Sequence, residues 1–317
     1  MAALSQLEQY ILELVNMARL DPAAMAARFA IDLNDGLPPG TISSESKNVL
    51  AMSDLLQDTA EYHSAWMVAN NSFSTIGELN STPGERMAYV GFNDGGDFDW
   101  GEALTWRFYD AGAQLHLSTV AYNFFRDSFL DPGSRKILLS DDYNEIGVSL
   151  FGGLVGGHPD VQAQVLTQDL AGSDETFITG AHYQAYFFAD GITTPLQGVD
   201  GTTIAVGDDV TATAASGGYR LAVTGAAQRV EIGAAVVTVD AGAGNVKLDL
   251  IGTNQIQSSH SLVVHSGVSL ARLVGLDDAA ITTDEGSGLI SLYGNHGNNR
   301  LVGNAGNNTL DGGIGAD

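Results

Sequence analysis

Cysteine is absent from the 317 residues, and lysine nearly so, with Lys47, Lys136 and Lys247 the only three. Without thiols the chain can form neither disulfides nor thiolate metal sites. The 13 basic side chains face 38 acidic ones, a formal charge of −25. A nucleic-acid phosphate backbone gains its protein affinity from Lys and Arg displacing counterions, so nucleic acid is excluded as a partner, and an anionic bilayer is equally poor. Long apolar runs are also missing: no stretch approaches the length of a membrane span. The N-terminus "MAALSQLEQY" lacks a basic segment followed by an apolar run. The expectation is a cytosolic chain, or one exported by a route that does not read an N-terminal signal. What so many carboxylates favour is solubility, salt tolerance and attraction for hard cations such as calcium.

At this length more than one core is expected. The first 130 residues carry helical patterns. "SQLEQYILELVNMARL" opens with Ser5 and Glu8 as a capping box, and Leu7, Ile11, Leu14, Val15 and Ala18 share one apolar face. Asp21-Pro22 starts a second helix, "SDLLQDTAEYHSAWMVANN" forms a third, and "GAQLHLSTVAYNFFRDSFL" a fourth. From Asn144 the period changes, and "NEIGVSLFGG" and "VQAQVLTQDLAG" around the turn "LVGGHPD" predict a hairpin. Helices followed by strands point to an α+β layer arrangement. Beyond "GSDET", short Val/Thr/Tyr-rich runs separated by Gly, Asp and Ser predict a small antiparallel β-sandwich. The expected division is residues 1–176, a sandwich over 177–251, a β connector over 252–284, and a repeat segment over 285–317.

That last segment has a nine-residue period: "GNHGNNRLV", "GNAGNNTLD" and "GGIGAD" open at Gly294, Gly303 and Gly312, with Leu301 and Leu310 at one offset. Upstream, Gly288 and Leu292 hold the same register. The pattern resembles RTX repeats, the calcium-binding nonapeptides of type I secreted bacterial proteins. The resemblance implies the start of a parallel β-roll, with calcium held between turns by carbonyls and by an aspartate at the sixth position. Only Asp317 is an aspartate there, whereas Asn299 and Asn308 fill the earlier sixth positions. Asparagine offers one neutral oxygen, so calcium at Asn299, Asn308, Gly303, Gly312 and Asp317 is expected to be weak or partial in a chain that stops at Asp317, or the asparagines to shape the turn only. The resemblance also implies extracellular localisation by type I secretion, consistent with the missing N-terminal signal and cysteine.

A second resemblance covers most of residues 1–172. "HSAWMVANNSFSTIGELNSTPGERMAYVGF", "WGEALTW", "FFRDSFLDPGSRKILLSDDYNEIGVSL" and "VLTQDLAG", in this order, are similar to a bacterial CAP domain of the SCP/PR-1 superfamily. This implies an α-β-α sandwich with a cleft lined by two histidines and acidic residues. Where the family has Phe-Ser-His, Gly-Glu-Asn and Gly-His-Arg, this chain has Phe73-Ser74-Thr75, Gly101-Glu102-Ala103 and Gly133-Ser134-Arg135. Both histidines are replaced and Glu102 remains. Thr75 and Ser134 hydroxyls replace neither the metal-binding lone pair nor the near-neutral base of an imidazole, so no zinc is expected.

His63 shares a helix face with Leu56, Ala60 and Met67 and is either a hydrogen-bonded packing residue or a polar anchor beside Glu102. His116 is expected in packing or at the surface, His158, His182, His260 and His265 have no acidic partner at ligand spacing, His296 is expected to face solvent, and Arg86 and Arg135 are expected to form internal salt bridges. The loop "NDGGDFDW", with Asp94, Asp97 and Asp99, fits no EF-hand spacing and is read as solvated. Two functions compete. The first is a non-enzymatic extracellular binding or adhesive module whose degenerate cleft recognises a lipid, sterol, glycan or cell-surface ligand. The second is a secreted hydrolase or toxin using Glu102. A purely structural spacer is a third.

Overall fold

The computed structural model describes residues 4–95, 97–113, 117–184, 197–285 and 288–317. Its described residues divide into two compact units, one within 4–44 and 52–174, the other within 45–51, 175–184 and 197–317. Helices and strands both occur, which makes the chain α+β.

The first unit holds helices α1 (Gln6–Leu20), α2 (Pro22–Arg28), α3 (Asp54–Asn70), α4 (Pro83–Tyr89), α5 (Leu117–Leu130) and α6 (Pro132–Leu138). Strands β1 (Ala51–Met52), β2 (Trp100–Asp110), β3 (Glu145–Val155) and β4 (His158–Ala171) form one sheet, in the order β1-β3-β4-β2. The Ser5/Glu8 capping box opens α1, and Asp21 caps α2 with Pro22 in its first turn, as the sequence predicts. Helix α4 carries its own box, Thr82 and Glu85 around Pro83, a signal the sequence reading passed over.

Alternation along β4 shows how the helices are layered. Thr59 Oγ1 of α3 donates to Asp169 Oδ2 at 2.6 Å, and Ser64 Oγ of α3 meets Thr167 Oγ1 at 2.7 Å. Gln168, between them in sequence, donates instead to Ser128 Oγ of α5 at 3.0 Å. Neighbouring strand residues point to opposite faces, so α3 covers one side of the sheet and α5 the other. Helix α3 sits very close to β3. A Cβ on Gly147 would lie 2.2 Å from the carbonyl of Leu56, so only glycine allows this approach. Arg135, expected in a salt bridge, instead donates to the carbonyls of Leu33, Phe129 and Leu130 and ties the ends of helices together.

The second unit holds β5 (Thr176–Tyr183), β6 (Thr203–Val206), β7 (Asp209–Ala212), β8 (Gly218–Val223), β9 (Ala227–Ile232), β10 (Ala235–Asp240), β11 (Val246–Ile251) and β12 (Gln255–Ser258). It continues with β13 (Leu262–Ser266), β14 (Leu270–Leu273), β15 (Ala280–Thr283), β16 (Ser291–Tyr293), β17 (Arg300–Val302) and β18 (Thr309–Asp311). Two seven-stranded sheets result, β17-β15-β13-β10-β9-β6-β7 and β18-β16-β14-β12-β11-β5-β8. The segments expected as separate sandwich, connector and repeats therefore share the same two sheets. They also share one apolar interior that includes Val237, Leu248, Val264, Ala271, Ile281 and Leu292.

Pairing is antiparallel at β9-β10-β13 but parallel at β5-β11, where an all-antiparallel sandwich was expected. From β12 onward successive strands alternate between the sheets, and each pairs in parallel with the next but one, as Leu292 does with Leu310 and Ile281 with Leu301. Each circuit of the chain thus adds one apolar side chain to each inner face.

Candidate functional site

Five side chains of the first unit converge in its interior. Glu102 on β2 lies directly opposite Asp169 on β4, which brings two carboxyls onto one face of neighbouring strands. Arg86 of α4 reaches Glu102 Oε2 at 2.5 Å and also donates to the carbonyls of Thr75 at 3.1 Å and Ser81 at 3.0 Å. His63 of α3 donates through Nε2 to the Ser74 carbonyl at 2.9 Å, and the same nitrogen stands 3.8 Å from Glu102 Oε1. Thr59 completes the group through its bond to Asp169. All are withdrawn from water: His63 and Asp169 are fully buried, and Glu102 is 5% exposed.

Burial sets the electrostatics. Desolvation, followed by the charge of Asp169, pushes Glu102 well above the usual carboxylate range, against the pull of Arg86. Desolvation likewise raises Asp169, although Thr59, Glu102 and Arg86 counteract it. Two buried carboxyls this close cannot both ionise, so they share a proton. Desolvation, helped by the Arg86 charge, lowers His63 to about 4. Near neutral pH the imidazole is therefore uncharged, its Nε2 proton given to Ser74, and the remaining carboxylate balances the guanidinium. His63 Nδ1, Arg86 Nε, Glu102 Oε1 and Asp169 Oδ1 are buried without a hydrogen-bond partner in this arrangement. The shared proton gives the two carboxyls a bond to each other, while the His63 and Arg86 atoms stay unsatisfied.

Beside this cluster a pocket of about 650 Å³ opens between α3, the turn at 78–81 and α4. Thr59 and Arg86 line its buried part, and Tyr62, Leu79 and Tyr89 line its exposed part. The Tyr62 hydroxyl donates to the Glu78 carboxylate. Leu79 is 95% exposed and held at φ 56°, ψ 25°, and Asn80 follows at φ 61°. Left-handed backbone is costly for leucine and its side chain gains no burial here, a combination that concentrates at binding sites.

The residues singled out in the sequence fare unequally. His63 and Glu102 stand together, and the two readings of His63, packing residue and neighbour of Glu102, describe one position. Thr75 is exposed and contributes its carbonyl to Arg86, and Ser134 is buried in the first turn of α6, where its N–H donates to Asp131. Neither lines the pocket. Asp169, Thr59 and Tyr89 were not singled out, because only strand register and helix docking bring them here. The Arg86 partner is Glu102, 16 residues on.

Among the other histidines, His116 lies outside the described residues. His265, read as having no acidic partner, has one 19 residues away: its Nδ1 meets Asp284 Oδ2 at 2.9 Å while Nε2 meets Thr238 Oγ1 at 2.9 Å. His182 bonds Thr202 and the Gly252 carbonyl, His260 bonds Ser259, and His158 and His296 are exposed. Asp97 and Asp99 are exposed, and the Asp94 side chain lies outside the description.

In the repeats, the first glycine of each block meets the sixth-position side chain. A Cβ on Gly294 would lie 2.1 Å from Asn299 Oδ1, on Gly303 2.8 Å from Asn308 Cγ, and on Gly312 2.3 Å from Asp317 Oδ2. Glycine is required there by close approach, not by left-handed backbone, which occurs at Gly313 and Gly315 instead. The Asn299 amide closes on Asn295, accepting its N–H at 2.6 Å and donating to its Oδ1 at 2.8 Å. Asn308 Nδ2 donates to the carbonyls of Asn304 and Gly306 at 2.9 and 2.7 Å, and Asp317 Oδ1 accepts the Asn299 N–H at 2.8 Å. Calcium needs six or more oxygens facing inward. Here Asn299 Oδ1, Asp317 Oδ1 and the Asn304 and Gly306 carbonyls accept amide N–H groups, while Asn308 Oδ1 is buried without a partner. Among the described residues no three His, Asp or Glu side chains cluster together.

No family model matches the chain, and no curated protein matches it. Among solved structures, an extracellular protein containing an SCP domain from Bacillus anthracis is 23% identical over 53% of this chain, with a TM-score of 0.31. The match spans 40% of that protein's length. An outer surface protein of Borrelia burgdorferi is 13% identical over 50% of this chain and 96% of its own, with a TM-score of 0.28. At such scores neither likeness establishes a shared fold.

Proposed function

We propose that this protein is a secreted, extracellular binding module whose N-terminal unit is a CAP-type domain that holds a ligand without cleaving it. Its C-terminal strands are an RTX-like coil in which calcium binding is weak or partial, and export follows the type I route that such repeats accompany. One observation carries the non-catalytic reading: Glu102, the acidic residue retained from the CAP pattern, is 5% exposed and bound to Arg86 at 2.5 Å, so it faces the interior and not the pocket. A general base must reach the proton it removes, directly or through one water. His63 does not replace it, because its Nε2 is committed to Ser74 and its Nδ1 is buried. The pocket itself has the volume of a small-molecule site, with an apolar mouth suited to a lipid, sterol or surface ligand.

The test is incubation of the purified chain with casein, peptidoglycan and p-nitrophenyl esters, beside a Glu102→Gln variant. The expected result is no turnover above buffer from either. Turnover by the wild type that disappears in the variant would establish the competing reading, a secreted hydrolase.

A further inference from the structure

The charge inventory of the pocket favours one ligand chemistry. Asp58, Glu78 and Glu85 all line it with exposed carboxylates. Among the described residues Arg86 is the only basic side chain in its lining, and that guanidinium is already engaged by Glu102 and by the Thr75 and Ser81 carbonyls. An anion entering here meets three exposed carboxylates, while the guanidinium, already paired with Glu102, has only its Nε–H left to offer. Two tyrosines stand at the mouth, Tyr62 half exposed and Tyr89 91% exposed, beside the outward Leu79. Aromatic faces beside carboxylates are the surroundings that stabilise an organic ammonium, since the ring quadrupole and the full charges act with the same sign. A separate feature points to the remainder of the ligand. Arg86 is 7% exposed, lines the pocket, and has an Nε–H with no acceptor. A buried donor in that state costs free energy until an oxygen satisfies it.

We propose that this pocket binds an amphiphilic organic cation, a quaternary or protonated ammonium attached to an apolar chain and carrying one oxygen acceptor. This rests on the binding-module reading and names the ligand class of that site. The ammonium lies by Tyr62, Tyr89 and the carboxylates, the oxygen accepts from Arg86, and the chain covers Leu79. Glu78 holds the Tyr62 hydroxyl and so fixes that ring.

Calorimetric titration of the full chain with decanoylcholine, decanol and decyl sulfate, each below its micelle concentration, tests the assignment. Decanoylcholine is expected to bind one to one, at least about tenfold tighter than decanol, with decyl sulfate weakest. Tyr89→Ala, a change at an exposed position, should weaken decanoylcholine about fivefold and leave decanol unchanged. Raising salt should weaken decanoylcholine alone. If decanol or decyl sulfate binds as tightly as decanoylcholine, the cation assignment is wrong while the binding-module reading survives. If none of the three binds, the assignment fails, and a lipid and glycan panel that also finds no ligand removes the binding reading with it.

Discussion

Arg86 Nη2 lies 2.5 Å from Glu102 Oε2, and both side chains are buried. A buried pair of this kind adds little over a well-packed apolar replacement, but leaving one member alone is expensive, because its charge stays in a medium that cannot solvate it. Glu102→Ala strands the guanidinium and also removes the group with which Asp169 shares its proton. The variant should lose about 3–5 kcal/mol in urea unfolding. Glu102→Gln keeps an oxygen for Arg86 and an N–H for Asp169, so at pH 5 its loss should be nearer about 1 kcal/mol. Equal losses in the two variants would mean that shape, and not charge, matters at this position.

The same cluster predicts two pH effects of opposite sign. His63 falls from 6.5 to about 4 on folding, so its contribution is complete above 6.5 and is lost as pH falls through 4. Relative to His63→Gln, which cannot titrate, the wild type should lose about 2 kcal/mol across that window, a figure reduced from the full shift for solvent screening. Glu102 shifts upward from 4.5, so its contribution is complete below 4.5 and is lost as pH rises toward its folded value. Against Glu102→Gln, the wild type should therefore weaken steadily above pH 4.5. Urea midpoints at a series of pH values check both slopes.

Gly147 is where α3 comes closest to the sheet, with no room for a Cβ beside the Leu56 carbonyl. Gly147→Ala should push the helix away and cost about 3 kcal/mol. It should also loosen the Thr59–Asp169 bond, read as faster amide exchange in α3. Gly40→Ala makes a steric comparison, because no atom lies within 4 Å of its added Cβ; its φ of 77° supplies only backbone strain.

In the repeats, Asn308 gives both amide protons to carbonyls of its own turn. The melting temperature of the wild type should accordingly differ by less than about 1 °C between calcium and EDTA, the shift that roughly half a kcal/mol would produce. Asn308→Asp replaces those donors with a carboxylate facing two carbonyl oxygens. In EDTA it should cost about 1–3 kcal/mol, and calcium should recover part of the loss. A wild-type melting point that rises with calcium would show that the amides give way to the ion.

Much of the molecule is legible along the chain because it is local. The capping box at Ser5, the N-cap at Asp21, the hairpin of β3 and β4, and the nine-residue register of Gly294, Gly303 and Gly312 all depend on neighbours within a turn or two. Glu102 was visible through its motif, as was His63 through its helix face. The continuity of the strands after Thr176 was not, because runs separated by Gly, Asp and Ser look the same whether they close a small sandwich or feed one pair of sheets.

The sequence by itself determined the charge, the helix starts and the repeat period. Tertiary structure alone decided that Asp169 stands opposite Glu102, that Arg86 neutralises the pair, and that the sixth-position asparagines close their turns with their own amides. The reason is that register and helix docking join residues tens of positions apart. The protonation of a carboxyl, or the partner of an amide, follows from what burial places beside it.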